Sequence, residues 1–169
     1  MRQSLNNMFN QSTLKSILSY NENTGLFVWL DCKTRARRNG KIAGTLTKNK
    51  RIHITINKKR FYAHRLAWLY VYGIWPVNFI DHINGIFDDN RIVNLRECNR
   101  LENQQNIRKP TKSNKSGYLG VSYDKKLNKF KVGIGINYKV KYLGYYESAK
   151  EASEVYLKAK RELHQFCTI

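Results

Sequence analysis

Four polar side chains in the middle of the sequence have the types and spacing needed to hydrolyse a phosphodiester bond. Asp81 and His82 are adjacent in the chain. Asn94 lies twelve residues after His82, and Asn103 lies nine residues after Asn94. A carboxylate and an amide oxygen are hard ligands for Mg²⁺ or a similar ion, and an imidazole can take a proton from an attacking water. Together these groups are typical of metal-assisted hydrolysis.

The local sequence predicts how these groups are positioned. Side chains of consecutive strand residues point to opposite faces, so Asp81 and His82 can share a site only at a strand end or on irregular backbone. The sequence predicts a short strand over residues 78–82, which ends where the two residues lie. Asn99, with Glu102 three residues later, predicts an N-cap and capping box at the start of the next helix. The predicted order is strand, loop, strand, helix.

The segments on either side predict an α+β protein of two domains. Upstream, the pattern predicts a helix over 13–20, a strand over 26–30, strands over 51–57 and 60–62, and a helix over 63–72. Downstream, it predicts strands over 118–123, 130–136 and 140–146 and a helix over 148–163. Apolar spacing along the last helix indicates that it lies across a three-stranded antiparallel sheet. The predicted divisions are a domain over 1–107, a basic linker over 108–117 and a second domain over 118–169.

Composition points to a polyanionic partner. The 169 residues include 31 Lys and Arg against 12 Asp and Glu, a net charge of +19, divided as +10 before and +9 after a cut at Ile107. Such a surface favours nucleic acid because phosphate contacts release counterions. Three widely spaced cysteines favour a reducing compartment over a disulfide framework or structural zinc. The sequence contains no apolar run that predicts a membrane span or a secretory signal. We therefore expect a cytoplasmic protein with no membrane partner.

Residues 62–106 resemble the phage and intron-encoded HNH endonucleases. The motifs that carry the resemblance are DHING, then DDNR and NLR, then ENQQN, in that order and at the family's spacing. Similarity extends upstream to about residue 12. The resemblance implies a ββα-metal fold with an N-terminal helix and hairpin extension. It also implies the activity of a divalent-metal-dependent DNA endonuclease of the homing type, encoded by a phage or a bacterial host.

The resemblance implies a role for each of the four residues. His82 would be the general base, while Asp81 and Asn103 would hold a single Mg²⁺ ion or another hard ion such as Mn²⁺. Asn103 stands at a motif position that other members fill with His, and it still offers a ligand oxygen. Asn94 would tie the loop together and orient His82. Asn90 is the other candidate for this middle asparagine, and the spacing favours Asn94.

The C-terminal part resembles the ethylene-response-factor DNA-binding domain, whose three-stranded sheet enters the major groove. Residues on its pattern include Gly120, Phe130, Gly144 and Tyr156. The plant domain's first strands carry arginines that are absent here, so the resemblance implies DNA binding without the same base specificity. Candidate DNA-binding residues, in a basic loop and along the sheet, are Arg35, Arg37, Arg38, Tyr123, Lys125, Lys126, Lys129, Lys131, Lys139 and Lys141.

The expected function is therefore metal-dependent cleavage of double-stranded DNA. A DNA-binding regulator with an inactive nuclease domain is the alternative, and the complete set of four residues argues against it. An RNA-binding or RNA-cleaving protein is a third possibility, which lacks the usual stacking-aromatic signature but has 11 tyrosines. One site per chain is compatible with nicking by a monomer or double-strand cutting by a homodimer. For His64 the sequence favours a buried structural role over phosphate contact.

Overall fold

The computed structural model describes residues 9–30 and 38–169. The chain divides into two compact units, Met1–Cys98 and Asn99–Ile169. Both units combine helices with small antiparallel sheets, which agrees with the predicted α+β class. Within the described ranges, none of the helices has the length and apolar character needed to cross a membrane.

The first unit has two helices and seven strands among its described residues. In chain order they are α1 (Gln11–Ile17), β1 (Leu18–Asn21), β2 (Leu26–Trp29), β3 (Thr45–Leu46), β4 (Ile52–Ile56), β5 (Lys59–Tyr62), α2 (Ala63–Tyr72), β6 (Phe79–His82) and β7 (Leu95–Cys98). The strands form three antiparallel sheets, β1–β2, β3–β4–β5 and β6–β7. A short 3-10 helix over Ile92–Asn94 leads into β7.

The first helix ends earlier than predicted, and the prediction of a helix over 13–20 is wrong for its last three residues. Helix α1 ends at Ile17, and the next residues form β1, which pairs with β2. Leu18 and Tyr20 are buried at alternate positions of this strand. Their spacing fits a strand as well as a helix, and pairing with Phe27 and its neighbours on β2 selects the strand.

Helix α2 packs on the hairpins through one apolar face. Leu66, Ala67 and Leu69 are almost fully buried together with residues from α1, β2 and β4. The helix ends as predicted at Gly73, which has a φ of 76° and donates its amide to the carbonyl of Leu69 over 3.0 Å. A left-handed residue at this position costs glycine no steric penalty. This packing places the start of α2, which carries His64, beside the β6–β7 hairpin.

The second unit is a three-stranded sheet with one long helix, as predicted. Its elements are α3 (Arg100–Gln105), β8 (Val121–Asp124), β9 (Lys129–Ile136), β10 (Lys139–Tyr146) and α4 (Ala149–Leu163). The sheet is antiparallel in the order β10–β9–β8. Its core contains Val132 and Ile134 from the central strand, packed with Ala152 and Tyr156 of α4. The other sheet face has no helix of this unit against it.

Residues 108–117 contain no helix or strand, and side-chain hydrogen bonds organise part of this segment. Asn114 Nδ2 donates to the carbonyl of Tyr118 over 2.9 Å, and Ser116 Oγ donates to the carbonyl of Val121 over 2.8 Å. The division after Cys98 assigns α3 to the second unit. The domain limits at 107 and 118 and the linker between them stay predictions.

Candidate active site

The β6–β7 hairpin positions Asp81 and His82 at the end of a strand. Asp81 lies opposite Arg96 and His82 lies opposite Leu95 in the antiparallel register. The two side chains are 7 % and 1 % exposed, respectively. A carboxylate and an imidazole this deeply buried need specific partners, because burial without hydrogen bonds is costly.

Arg96 is the partner of Asp81. Its Nε and Nη2 atoms donate to Asp81 Oδ2 over 3.0 and 2.8 Å. The two residues face each other across the hairpin, so strand register alone brings them together. The ion pair holds the carboxylate in place and supplies a compensating charge to a buried anion.

Asn90 is a hydrogen-bond partner of His82. The distance between His82 Nε2 and Asn90 Oδ1 is 3.1 Å, and Asn90 Nδ2 donates to the carbonyl of Asp88 over 3.3 Å. The second bond orients the amide so that its oxygen faces the imidazole. Because an amide oxygen only accepts, Nε2 carries the proton of a neutral His82 and Nδ1 carries the lone pair.

The β1–β2 hairpin fixes the position of Asn90, which is only 1 % exposed. Tyr20 on β1 donates its hydroxyl to the carbonyl of Asn90 over 2.7 Å in a buried contact. Gly25, in the turn of the same hairpin, has a φ of 72°, and a Cβ there would lie 2.5 Å from Arg91 N. This close approach requires glycine. The N-terminal extension therefore supports the loop that contacts His82.

Asn94 holds the loop between the two strands through both ends of its side-chain amide. Its Oδ1 accepts from the amide of Asn84 over 2.9 Å, and its Nδ2 donates to the carbonyl of Asp89 over 2.8 Å. The loop-tying role implied by the resemblance therefore agrees with these bonds. A hydrogen bond to His82 comes from Asn90, and the role of Asn94 in orienting His82 stays a prediction.

Burial keeps both histidines of this region neutral. Desolvation lowers the pKa of His82, although the hydrogen bond to Asn90 opposes the shift. Desolvation followed by repulsion from His82 lowers the pKa of His64 to about 2. The His64 ring meets the His82 ring edge-on at a centroid distance of 5.1 Å and stacks on Tyr62 at 5.2 Å. The predicted buried role of His64 agrees with these contacts, which pack its ring against that of His82.

Asn103 lies on α3, in the second unit, where its helix is anchored at both ends. Asn99 caps the first turn through a complete capping box with Glu102, as predicted. At the last residue of the helix, Gln105 Oε1 accepts from the amide of Phe166 over 3.1 Å. The Thr168 hydroxyl donates to the side-chain oxygen of the next residue, Asn106, over 2.6 Å.

The predicted metal ligands, Asp81 and Asn103, carry oxygen donors, the ligand type that a hard divalent ion prefers. Asp81 offers a carboxylate, of which Oδ2 is bonded to Arg96, and Asn103 offers an amide oxygen. Within residues 9–30 and 38–169, no cluster of three or more His, Cys, Asp or Glu side chains is arranged to hold a metal. Mg²⁺ commonly binds through one or two protein oxygens and completes its shell with water and phosphate oxygens.

The predicted DNA-binding residues occupy several different surroundings. Arg35 and Arg37 lie outside the described residues, and Arg38 has its guanidinium over the ring of Trp29 at 5.1 Å. The four lysines at 125, 126, 139 and 141 are exposed, the first two in the β8–β9 turn and the others on β10. Lys129 forms an exposed ion pair with Glu147 over 2.8 Å.

The strand register separates these residues onto two sheet faces. Tyr123 pairs with Phe130, and Phe130 packs into the core shared with α4, so Tyr123 belongs to the helix-covered face. Lys139 and Lys141 oppose Ile136 and Ile134 and belong to the same face. Lys131 lies on the opposite face of the sheet, which α4 does not cover. On this uncovered face it lies opposite Ser122 on one neighbouring strand and Tyr145 on the other.

The sequence analysis missed two tyrosines on the uncovered face. Tyr142 lies opposite Gly133 and is 64 % exposed, and Tyr145 is 44 % exposed. Lys131 Nζ sits 4.3 Å from the centroid of the Tyr142 ring. Alternation along β10 puts Tyr142 on the face opposite to that of Lys139 and Lys141, but a register shift between residues 142 and 144 changes the alternation before Tyr145.

One comparison with known proteins supports a class for this region. Residues 61–105 match the family model described as HNH endonuclease. The match contains β6, β7, α3 and all four predicted site residues. It supports an HNH nuclease domain in this part of the chain and a nuclease-type function. No curated protein and no solved structure gives a significant match.

Proposed function

We propose that this protein is a metal-dependent HNH endonuclease of the homing type that hydrolyses phosphodiester bonds in double-stranded DNA. The observation that carries the proposal is the buried, neutral His82, fixed by Asn90 and adjacent to Asp81 within the family match. HNH nucleases generally depend on a divalent metal, and the oxygen donors here favour Mg²⁺, or Mn²⁺ as a substitute. Duplex DNA is the proposed substrate because the chain carries a net charge of +19.

His82 is the proposed general base, acting through Nδ1. With Nε2–H directed to Asn90, the lone pair on Nδ1 accepts the proton of the attacking water, and the hydrogen bond to Asn90 stabilises the imidazolium that forms. The lowered pKa keeps the lone pair available at neutral pH. Because the ring is 1 % exposed, DNA binding must admit the attacking water to Nδ1.

Asp81 and Asn103 are the residues proposed to hold the metal ion, on the strength of the sequence pattern. A divalent ion bound there would stabilise negative charge on the phosphate and the leaving oxygen. Arg96 would fix the Asp81 carboxylate, and Asn94 would keep the loop closed. Neither of these two residues needs to touch the DNA for these roles.

The uncovered face of the β8–β10 sheet is the proposed second DNA contact. Lys131 supplies charge, and Tyr142 and Tyr145 supply exposed rings at neighbouring positions. Gly135 leaves the central strand open on that face, because a Cβ there would meet no described atom within 4 Å, so a DNA backbone could approach the sheet closely at this position. Phosphate contacts of this kind position an enzyme on DNA without selecting a sequence.

Mapping the ends produced from long duplex DNA in Mg²⁺ tests the proposal. Wild type should cut, EDTA should stop cutting, and Mg²⁺ should restore it. His82→Ala should cut about 10²–10⁴-fold more slowly with nearly unchanged DNA affinity, since loss of a general base has that effect. Asp81→Asn should lose both cleavage and metal affinity.

The matched control replaces a histidine outside the site. His53 lies on β4 and contacts Tyr62, so His53→Ala should retain cleavage. Wild-type protein that binds duplex DNA tightly but never cuts it in Mg²⁺ would favour the inactive regulator instead. Cleavage by His82→Ala at the wild-type rate would remove the proposed mechanism.

A further inference from the structure

Arg51 is a cation beside His82 that lies outside the matched segment and outside the four predicted site residues. It immediately precedes β4, in the sheet next to the site hairpin. A tight loop fixes its backbone, because its amide donates to Thr47 Oγ1 over 3.2 Å and its carbonyl accepts from the Thr47 amide over 2.9 Å. The guanidinium therefore extends from a rigid base.

Phe87 connects Arg51 to the catalytic histidine. The Arg51 guanidinium carbon lies 4.4 Å from the centroid of the Phe87 ring. The same ring meets His82 edge-on at a centroid distance of 6.0 Å, and it is 42 % exposed. Stacking of a guanidinium on an aromatic face orients its N–H groups outward around the ring plane. Arg51 consequently presents donors beside the exposed Phe87 ring, which lies between it and His82.

The charges around His82 leave Arg51 available to an anion. Of the nearby carboxylates, Asp81 is paired with Arg96 and Asp89 is paired with Arg91 over 2.6 Å. Among the residues that the structure describes, no carboxylate forms an ion pair with Arg51. Its charge nonetheless reaches the site, because it is one of the groups that lower the pKa values of His82 and His64.

We infer that Arg51 binds a phosphate of the DNA backbone at or next to the bond that His82 attacks. The inference rests on the proposed nuclease function and extends its site to a residue from a separate sheet. A guanidinium matches the geometry of a phosphate with two parallel hydrogen bonds. At this place the interaction stabilises charge that grows on the phosphate during hydrolysis, so it contributes to rate more than to affinity.

Cleavage by substitution variants of the full chain tests the inference. Arg51→Gln should cut a mapped duplex about 100-fold more slowly at saturating protein, with DNA affinity within about threefold of wild type. Arg51→Lys should recover part of the rate, since it keeps the charge but not the planar fork. Arg60→Gln, on exposed β5, removes an equal charge and should change only affinity and its salt dependence.

A phosphate titration separates this inference from the proposed function. Inorganic phosphate added to wild type should shift the NMR signals of Arg51 Nε–Hε and the Phe87 ring, and leave those of Arg60 in place. If wild type does not cut DNA but phosphate causes these shifts, the function fails and the anion site stands. If wild type cuts and Arg51→Gln cuts equally fast, the inference is overturned. Unmoved Arg51 signals would also overturn it.

Discussion

At the scale of single residues, His64 shows how burial couples a histidine to stability. Its pKa in the folded protein is about 2, mainly because of desolvation, whereas an unfolded chain gives histidine a value near 6.5. Below pH 6.5 the unfolded chain therefore binds a proton that the folded protein excludes. Since the folded pKa is the lower one, stability is fully present above pH 6.5 and is lost as pH falls.

His64→Phe should remove this loss of stability at low pH, and it keeps an aromatic ring between Tyr62 and His82. Between pH 7 and pH 5 the wild-type protein should lose about 2 kcal/mol more stability than the variant. Urea unfolding at several pH values and constant ionic strength measures the difference. Identical pH slopes for the two proteins would show that His64 titrates normally in the folded state.

The residues of the candidate site were only partly predictable from sequence. Asp81 and His82 stood out through their chemistry and their place at a strand end, which the β6–β7 hairpin bears out. Spacing favoured Asn94 over Asn90 as the middle asparagine, but spacing along the chain cannot show which of the two loop amides faces the imidazole. That choice depends on Tyr20, which anchors Asn90 from a hairpin seventy residues earlier.

At the scale of elements, the β1–β2 hairpin supports the loop that contacts His82 through a glycine. Gly25 and Gly40 both have a φ of 72°, so alanine at either position costs about 1–2 kcal/mol of backbone strain. At Gly25 the new Cβ would also meet Arg91 N at 2.5 Å, whereas at Gly40 it would meet no atom of the described residues within 4 Å. The two substitutions therefore cause the same backbone strain, and they differ only in whether the new Cβ meets a neighbouring atom.

Gly25→Ala should slow cleavage by displacing the loop that holds Asn90, and should destabilise the protein more than Gly40→Ala. Gly40→Ala should keep the wild-type cleavage rate. Urea unfolding and single-turnover cleavage of the same duplex by both variants measure the effects. Equal rates for the two variants would mean that the hairpin does not position the loop.

Helix α3 is held mostly by polar contacts at its ends. It has six residues and none of them is fully buried, and a helix that short is unstable alone. Thr168 reaches Asn106 through its hydroxyl, and Arg108 Nη2 donates to the same hydroxyl. Thr168→Val removes this hydroxyl without changing the side-chain shape, whereas Thr168→Ser keeps it.

Thr168→Val should increase hydrogen exchange of the α3 amides and slow cleavage if Asn103 acts as proposed. Thr168→Ser should behave like wild type in both measurements. Mass-spectrometric exchange over residues 99–107 gives the first measurement without depending on activity. Unchanged exchange in the valine variant would show that the C-terminal residues do not hold α3.

The elements were more predictable than their boundaries. Leu66 and its neighbours on α2, and Tyr156 and its neighbours on α4, follow a helical period that only a helix satisfies. Leu18 and Tyr20 satisfy two periods, so only pairing with β2 could assign them to a strand. The register of the C-terminal sheet likewise depends on a bulge near Leu143, which leaves no sequence signal beyond an adjacent glycine.

At the scale of the whole molecule, positive charge is divided almost evenly. The first unit has 16 Lys and Arg against 6 Asp and Glu, or +10, and the second has 15 against 6, or +9. Both units should therefore contribute phosphate contacts, and the affinity of the full chain for random duplex DNA should fall steeply with salt. Each phosphate contact adds about 0.9 to the slope of log K against log salt, so the slope measures the number of contacts.

Three substitutions in the second unit separate charge from ring contacts. Lys131→Gln, on the uncovered sheet face, should weaken binding and reduce the slope by about 0.9, because one phosphate contact is lost. Tyr142→Ala should weaken binding at every salt concentration without changing the slope, since a ring releases no counterions. Lys158→Gln removes the same charge from the exposed side of α4 and should leave the slope unchanged. Equal slope changes for Lys131→Gln and Lys158→Gln would mean that overall charge, and not this face of the sheet, accounts for binding.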